Sequence, residues 1–255
     1  MNILEEFRKK LEKGTAVFGP FMKTADPAFV EIAGYSGFDF VVLDMEHGPV
    51  SFDNLQNLVR AAQVAGTLPV VRTSDERDIS IGRALDVGAL GVQVPQVRTA
   101  DEARSVIRAA RFHPEGERGV CAYVRAADYS SIPAGEYFRK ANNCLVILQI
   151  EGKIALSNLD EILDVEGIDI LFIGPFDLSQ SLGHPGETDH PEVMAAMKKI
   201  VEKAAARGIV TGTFTHTPDA VRKWKDAGVQ YISYSVDTGI FTDACHALVS
   251  QFKGM

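Results

Sequence analysis

The chain has little cysteine: three residues among 255, Cys121, Cys144 and Cys245, far apart and with no C-x-x-C pair. That excludes a disulfide framework and a finger-type zinc cluster, and it suits a reducing compartment. Positive charge is also short. Twenty-six Lys and Arg stand against 34 Asp and Glu, and a formal charge of −8 has the wrong sign for binding phosphate backbones, so no nucleic-acid partner is expected. No apolar run approaches the roughly 20 residues of a membrane helix. The opening MNILEEFRKKLEKG is charged from Glu5 onward, unlike a secretory leader, so no membrane partner and a cytoplasmic location are expected. Neither glycine-rich nucleotide turn, G-x-G-x-x-G or G-x-x-x-x-G-K-[ST], is present. Ser179 lacks a G-x-S-x-G turn and Cys121 has no neighbouring histidine, which leaves nucleophilic acyl transfer poorly supported.

What is there is an ordinary globular composition, 46% hydrophobic and 24% charged with a mean hydropathy of +0.01. Eight short apolar segments, rich in Val, Ile, Leu and Phe, are continuous rather than alternating, as expected of parallel strands covered on both faces. They span 16–19, 38–43, 69–72, 91–95, 145–150, 170–174, 209–214 and 231–235, with helix-period stretches between them. Helix starts are marked at Ser51-Phe52-Asp53, at Thr99 with Glu102, and at Pro191-Glu192. The pattern predicts an α/β fold, a (β/α)8 TIM barrel of eight parallel strands forming one domain over 1–255 with an extra N-terminal helix. Two segments break the spacing, 112–143 and 177–190. Both are expected to follow strand ends, on the face where barrel loops build active sites.

A barrel demands ionisable residues where the strands stop. The second segment ends in VVLDMEHGP, bringing Asp44, Glu46 and His47 together; the third ends at Arg72; the fifth ends QIEG with Gln149 and Glu151; the sixth runs into GPFDLS with Asp177. Glu151 and Asp177 lie one βα unit apart, so adjacent strands would hold two carboxylates side by side. Such a pair suits a hard divalent cation, Mg²⁺ or Mn²⁺ (with Co²⁺ or Zn²⁺ as alternatives), and leaves room for a chelating substrate. Helix capping or a surface ion pair is the bland alternative for each. His47, three residues after Asp44, is a candidate general base oriented by that carboxylate. Arg72 offers a fork fitted to an oxyanion, with a structural bridge to Asp44 or Asp75 as the alternative.

Asp86 closes a helix, where a carboxylate opposes the helix dipole and calls for a partner. Gly174 and Pro175 open a turn whose backbone N–H groups would face a pocket. His216 follows the seventh strand. None of the eight segments ends in lysine, the nearest being Lys153, so chemistry through a metal-held enolate is favoured over an imine.

The blocks FDFVVLDMEHGP, LPVVR, RALDVGALGVQVPQV, GERGV, VILQIE, VEGIDILFIGPFDLSQSLGHPG and HPEV resemble the metal-dependent class II pyruvate aldolases of the HpcH/HpaI family over nearly the whole chain. The resemblance implies a TIM barrel, often hexameric with helix exchange between subunits. It implies cleavage or formation of a 4-hydroxy-2-oxo acid to pyruvate and an aldehyde through a metal-bound pyruvate enolate. By position it gives the metal to Glu151 and Asp177 and enolate stabilisation to Arg72. Proton handling falls to His47 with Asp44 and Asp86, the last in its own or a neighbouring subunit. Substrate contact falls to Gln149, Gly174, Pro175 and Phe176, with Phe21 at the mouth. Phe176 stands where the family usually has a small residue, and Ser235 where it usually has glycine; Cys121, Tyr123 and the stretch GTFTHTPD also depart from it. The alternatives are a lyase of the same barrel type acting on a phosphoenolpyruvate-like or acyl-CoA substrate, and a non-catalytic oligomer that binds a 2-oxo acid.

Overall fold

In the computed structural model, which describes residues 2–75 and 78–255, the eight segments become β1 (Val17–Met22), β2 (Phe40–Asp44), β3 (Leu68–Arg72), β4 (Gly91–Val94), β5 (Leu145–Ile150), β6 (Ile170–Ile173), β7 (Val210–Thr215) and β8 (Tyr231–Val236). Each pairs in parallel with the next, and β8 returns to β1, closing a barrel. Around it lie α1 (Ile3–Glu12), α2 (Pro27–Tyr35), α3 (Phe52–Val64), α4 (Asp78–Asp86), α5 (Ala100–Ala110), α6 (Ala134–Ala141), α7 (Lys153–Ser157), α8 (Leu159–Leu163), α9 (Pro175–Leu182), α10 (Pro191–Ala205), α11 (Pro218–Asp226) and α12 (Asp237–Lys253). This is the expected (β/α)8 barrel with its extra N-terminal helix.

The unbroken apolar character of the strands follows from burial on both faces. Val41, Leu43, Val71 and Ile173 point outward onto Leu55, Leu58, Val106 and Ile200 of the helices. Val17, Phe40, Val42, Val70, Ile147, Phe172 and Tyr231 fill the interior. Phe40 and Tyr231 stack there at 4.0 Å, and Phe7 of α1 meets both rings edge-on. Leu4, Phe7 and Leu11 thus make α1 the plug of the barrel's N-terminal end. Ser51 caps α3, and Thr99 with Glu102 forms a full capping box on α5. At α10 the cap is one residue earlier than Pro191: His190 Nδ1 accepts the Glu192 N–H.

Two expectations need correction. The first strand does not stop at Gly19 but runs to Met22, with a shift of register against β8 between Gly19 and Phe21. Gly19 is there for close approach rather than for a turn, since a Cβ would lie 2.0 Å from the Phe40 carbonyl oxygen. The segment 112–143 does not follow a strand end. It leaves from the end of α5, which has already returned the chain to the N-terminal side, and folds there as a 3-10 turn (Arg125–Ser130) and α6 around Phe112, Ala127 and Tyr137. A cavity of about 650 Å³ opens between it and α1, lined by Leu90 and Cys144, the residues just before β4 and β5. This cavity is therefore at the end opposite the strand C-termini. Cys121 and Tyr123 ride on this segment as exposed side chains. The segment 177–190 does follow a strand end, beginning inside α9 after β6.

Candidate active site

Asp44 ends β2 with its carboxylate fully buried, and five donors converge on it. Arg72, its register partner at the end of β3, approaches side-on, Nε to Oδ1 at 2.9 Å and Nη2 to Oδ2 at 2.7 Å. Lys23 Nζ reaches Oδ2 at 2.7 Å, and the backbone N–H groups of Glu46 and His47 reach Oδ1 at 3.1 and 3.2 Å. Burial alone would raise this carboxyl's pKa, but Arg72, with Lys23, more than offsets it and holds the group down at about 2. Asp44 therefore shapes the His47 loop through its backbone rather than by touching the imidazole, as the sequence spacing had suggested. The His47 ring is 59% exposed, and its nearest carboxylate is Glu46, 3.9 Å away. Arg72 takes the structural bridge to Asp44 and adds an ion pair with Glu46 at 3.0 Å. Phe21 lies 4.6 Å beneath its guanidinium.

Across the barrel, Glu151 continues β5. Gln149 Nε2 donates to its Oε2 at 2.5 Å, the Gln96 N–H donates to Oε1 at 2.8 Å, and Gln149 itself accepts from Gln93 at 2.8 Å. Gln96 holds a φ of 56° to aim that N–H. Burial, reinforced by the negative charge of Asp177, raises the Glu151 pKa to about 7 despite the two hydrogen bonds. No arginine or lysine is bonded to Glu151 or Asp177 among the described residues. The backbone leaves room for this carboxylate, because a Cβ on Gly174 would stand 2.5 Å from Glu151 Oε2. A buried carboxylate beside a second one, propped by amides and lacking a cation, fits a hard divalent ion.

Asp177 sits in the first turn of α9 and borders two openings. One, of about 340 Å³, brings together Phe21, Lys23, His47, Arg72, Gln149, Gly174, Pro175, Phe176 and Asp177. Gly174 spends its N–H on the Ile150 carbonyl and Pro175 has none, so the free first-turn N–H groups belong to Phe176 and Asp177. Phe176, 45% exposed, rests on Phe214 and tilts against His216, while Phe214 meets Phe21 at 5.9 Å. One side of the opening is therefore aromatic and the other cationic. Ser235, where glycine was expected, indeed has a φ of 55°.

Asp86 does not join this site in its own chain. It ends α4 at the barrel's N-terminal side, where Arg118 Nη2 binds its Oδ1 at 2.6 Å and supplies the partner that a carboxylate at a helix C-terminus needs. Two residues of the site were not singled out from the sequence. Lys23 was hidden by the Gly-Pro pair that truncated β1, and Gln93 was a lone amide inside GVQV, legible only as a polar residue at an inward position. Glu46 stood out at the strand end, but its sharing between Arg72 and His47 did not.

The HpcH/HpaI aldolase/citrate lyase family model matches residues 18–244. The 2-keto-3-deoxy-L-rhamnonate aldolase of Escherichia coli is 39% identical over 249 residues, covering 97% of this chain and 92% of that protein. An HpcH/HpaI aldolase/citrate lyase family protein from Burkholderia cenocepacia superposes with a TM-score of 0.92 at 30% identity, over 97% of this chain and 99% of that one. A citrate synthase, SbnG, does so with a TM-score of 0.88 at 31% identity, over 97% of each. The chain is an enzyme of the HpcH/HpaI aldolase/citrate lyase family.

Proposed function

We propose that the chain is a metal-dependent class II aldolase that cleaves or forms a 4-hydroxy-2-oxo acid, with pyruvate and an aldehyde as the other side of the reaction. The observation that carries this reading is the cation-deficient pair Glu151 and Asp177 facing the Asp44–Arg72–His47 group across one barrel mouth. Glu151 and Asp177 would hold the divalent ion, which when bound supplies Lewis-acid stabilisation of negative charge on a 2-oxo acid. Gln149, fixed by Gln93, and the N–H groups of Phe176 and Asp177 are placed to contact the substrate's oxygens. His47, exposed at the rim of the opening, takes the proton of the C4 hydroxyl as the C3–C4 bond breaks, and C3 is then protonated to the pyruvate methyl. Arg72 has three of its donor directions committed to Asp44 and Glu46, so it acts mainly by its charge. The aromatic side built by Phe21, Phe214 and Phe176 favours an aldehyde with an apolar substituent.

The test is proton NMR of pyruvate methyl exchange in D₂O, with EDTA-treated, Mg²⁺-loaded and Mn²⁺-loaded protein, the Mn²⁺ samples being chelated before reading. Metal-dependent exchange, lost by at least about 10³-fold in Glu151→Ala, is expected, since removing a metal ligand removes the stabilisation of the developing charge. Absence of exchange with every metal would overturn the reading in favour of another donor, such as an acyl-CoA.

We also propose a homo-oligomer, a hexamer as the resemblance implies, assembled through α12. In that 17-residue helix only Asp237 is buried, while Phe241, Leu248, Val249 and Phe252 stand 45–64% exposed. An apolar face of this kind on one helix is characteristic of an interface. Light scattering is expected to give several times 27.7 kDa, falling in a Phe241→Glu, Phe252→Glu double variant.

A further inference from the structure

The extension of β1 places a lysine at the catalytic mouth. Lys23 follows Met22 directly, and its main chain is pinned: its N–H donates to Asp237 Oδ1 at 3.0 Å, and the Thr24 N–H and hydroxyl donate to Asp237 Oδ2 at 2.9 and 2.6 Å. Its ammonium, 27% exposed, uses Asp44 Oδ2 at 2.7 Å and lines the opening with His47, Arg72, Gln149 and Asp177. An ammonium carries three N–H donors. One is spent on Asp44, which leaves two for a ligand. Arg72 is the contrasting case, with Nε, Nη1 and Nη2 already facing carboxylates and its side chain 9% exposed.

Strand order supplies the second half of the argument. In the closed ring β1 lies four strands from β5 and so across the mouth from Glu151. A 4-hydroxy-2-oxo acid whose carboxylate and keto group lie beside Glu151 and Asp177 extends its C3–C4 end toward β1 and β2. The C4 oxygen is the atom on which charge develops during carbon–carbon bond formation.

We propose that Lys23 is a catalytic residue, its Nζ donating a hydrogen bond to the C4 oxygen. This rests on the aldolase reading. In the synthetic direction, C3 of the enolate attacks the aldehyde carbon, the C3–C4 bond forms, and the carbonyl π pair moves onto oxygen as an alkoxide. Lys23 stabilises that alkoxide while keeping its own proton, and His47 delivers the proton that makes the hydroxyl. Cleavage runs the same steps in reverse. A fixed ammonium in a partly dry site is an efficient stabiliser of such a charge.

Pyruvate methyl exchange needs enolisation but no C4 oxygen, so it separates the two halves of the reaction. With metal-loaded full-length protein, Lys23→Met is expected to lose about 100-fold in aldol addition of pyruvate, the scale of one removed oxyanion donor, and at least tenfold less than that in exchange. Addition is read on a panel of glycolaldehyde, lactaldehyde, propanal and benzaldehyde, using whichever the wild type converts. Lys23→Arg, which restores a cation, is expected to recover at least tenfold over Lys23→Met. Thermal unfolding is followed in parallel. Should Lys23→Met unfold, Lys23→Gln, with an N–H still available to Asp44, carries the same split at smaller amplitude. Equal loss of exchange and addition would overturn the proposal, because it would mean that Lys23 acts only by holding Asp44. Unchanged addition would overturn it as well, and so would a wild type that exchanges the methyl protons but converts no aldehyde. A wild type without exchange fails one step earlier and overturns the aldolase reading itself.

Discussion

Asp44→Ala is expected to be the most damaging substitution of a residue that touches neither metal nor bond. It strips one carboxylate from under five donors and leaves the 9%-exposed Arg72 beside Lys23 with only Glu46 in reach. Breaking a buried pair from one side costs about 3–5 kcal/mol. At about 2–4 °C per kcal/mol for a chain of this size, the thermal midpoint at pH 7 should fall by roughly 10 °C. Activity should fall further than stability, by about 100-fold or more in kcat/KM. The Glu46 and His47 amides lose their anchor, and a base displaced by about 1 Å is costly. Asp44→Asn, which keeps the shape, should be intermediate. A midpoint within 2 °C of wild type for Asp44→Ala would show that this network does not hold the mouth together. The sign in acid is the usual carboxylate one: with its pKa lowered to about 2, Asp44 contributes stability above the unfolded value, near 4, and the contribution is lost as pH falls through 2.

Glu151 predicts the opposite slope. Its folded pKa is raised from an ordinary 4.5 to about 7, chiefly by burial. The folded metal-free protein therefore holds a proton that the unfolded chain has released. Stability is fully present below about 4.5 and declines as pH rises through 7. At about 1.4 kcal/mol per factor of ten, the change amounts to about 3 kcal/mol. Glu46, also raised by burial and linked to the same cluster, acts in the same direction. Differential scanning calorimetry of EDTA-treated protein between pH 5 and 8 should show a falling midpoint, with a shallower fall in Glu151→Gln, which cannot ionise at that position but keeps the contribution of Glu46. A divalent cation should flatten the wild-type slope and bind more tightly as pH rises, because it replaces the proton. A metal-free midpoint that is level from pH 5 to 8 would mean that Glu151 is ionised in the apo protein.

These two carboxylates also show how far a linear reading reaches. Glu151 and Asp177, one βα unit apart at consecutive strand ends, were legible because the strand–helix period itself sets which side chains arrive at the mouth. Asp44, Arg72, His47 and Gln149 were legible for the same reason. The way they bond was not. Asp44 spends its carboxylate on Arg72 and Lys23 instead of the imidazole it neighbours, since β2 and β3 are in register while the His47 ring turns outward. Asp86, read correctly as a helix end, lies away from the mouth of its own chain, because a helix end and a strand end only a few residues apart in the chain stand at opposite ends of the barrel in space.

The sequence by itself determined the architecture and the membership of the mouth. Continuous apolar runs demand burial on both faces, capped helices fix the crossovers, and a closed parallel ring delivers every strand's end to one rim. Only the tertiary structure decided partners. That Gly19-Pro20 is a close approach within β1 rather than a stop depends on Phe40 from the next strand, and with it the placement of Lys23. That the segment 112–143 closes the N-terminal side instead of the mouth depends on α5 having already run back along the barrel wall. Local periodicity is carried by neighbours in the chain. Ion pairs, cavities and shifted pKa values arise between residues tens of positions apart, brought together by closure of the barrel.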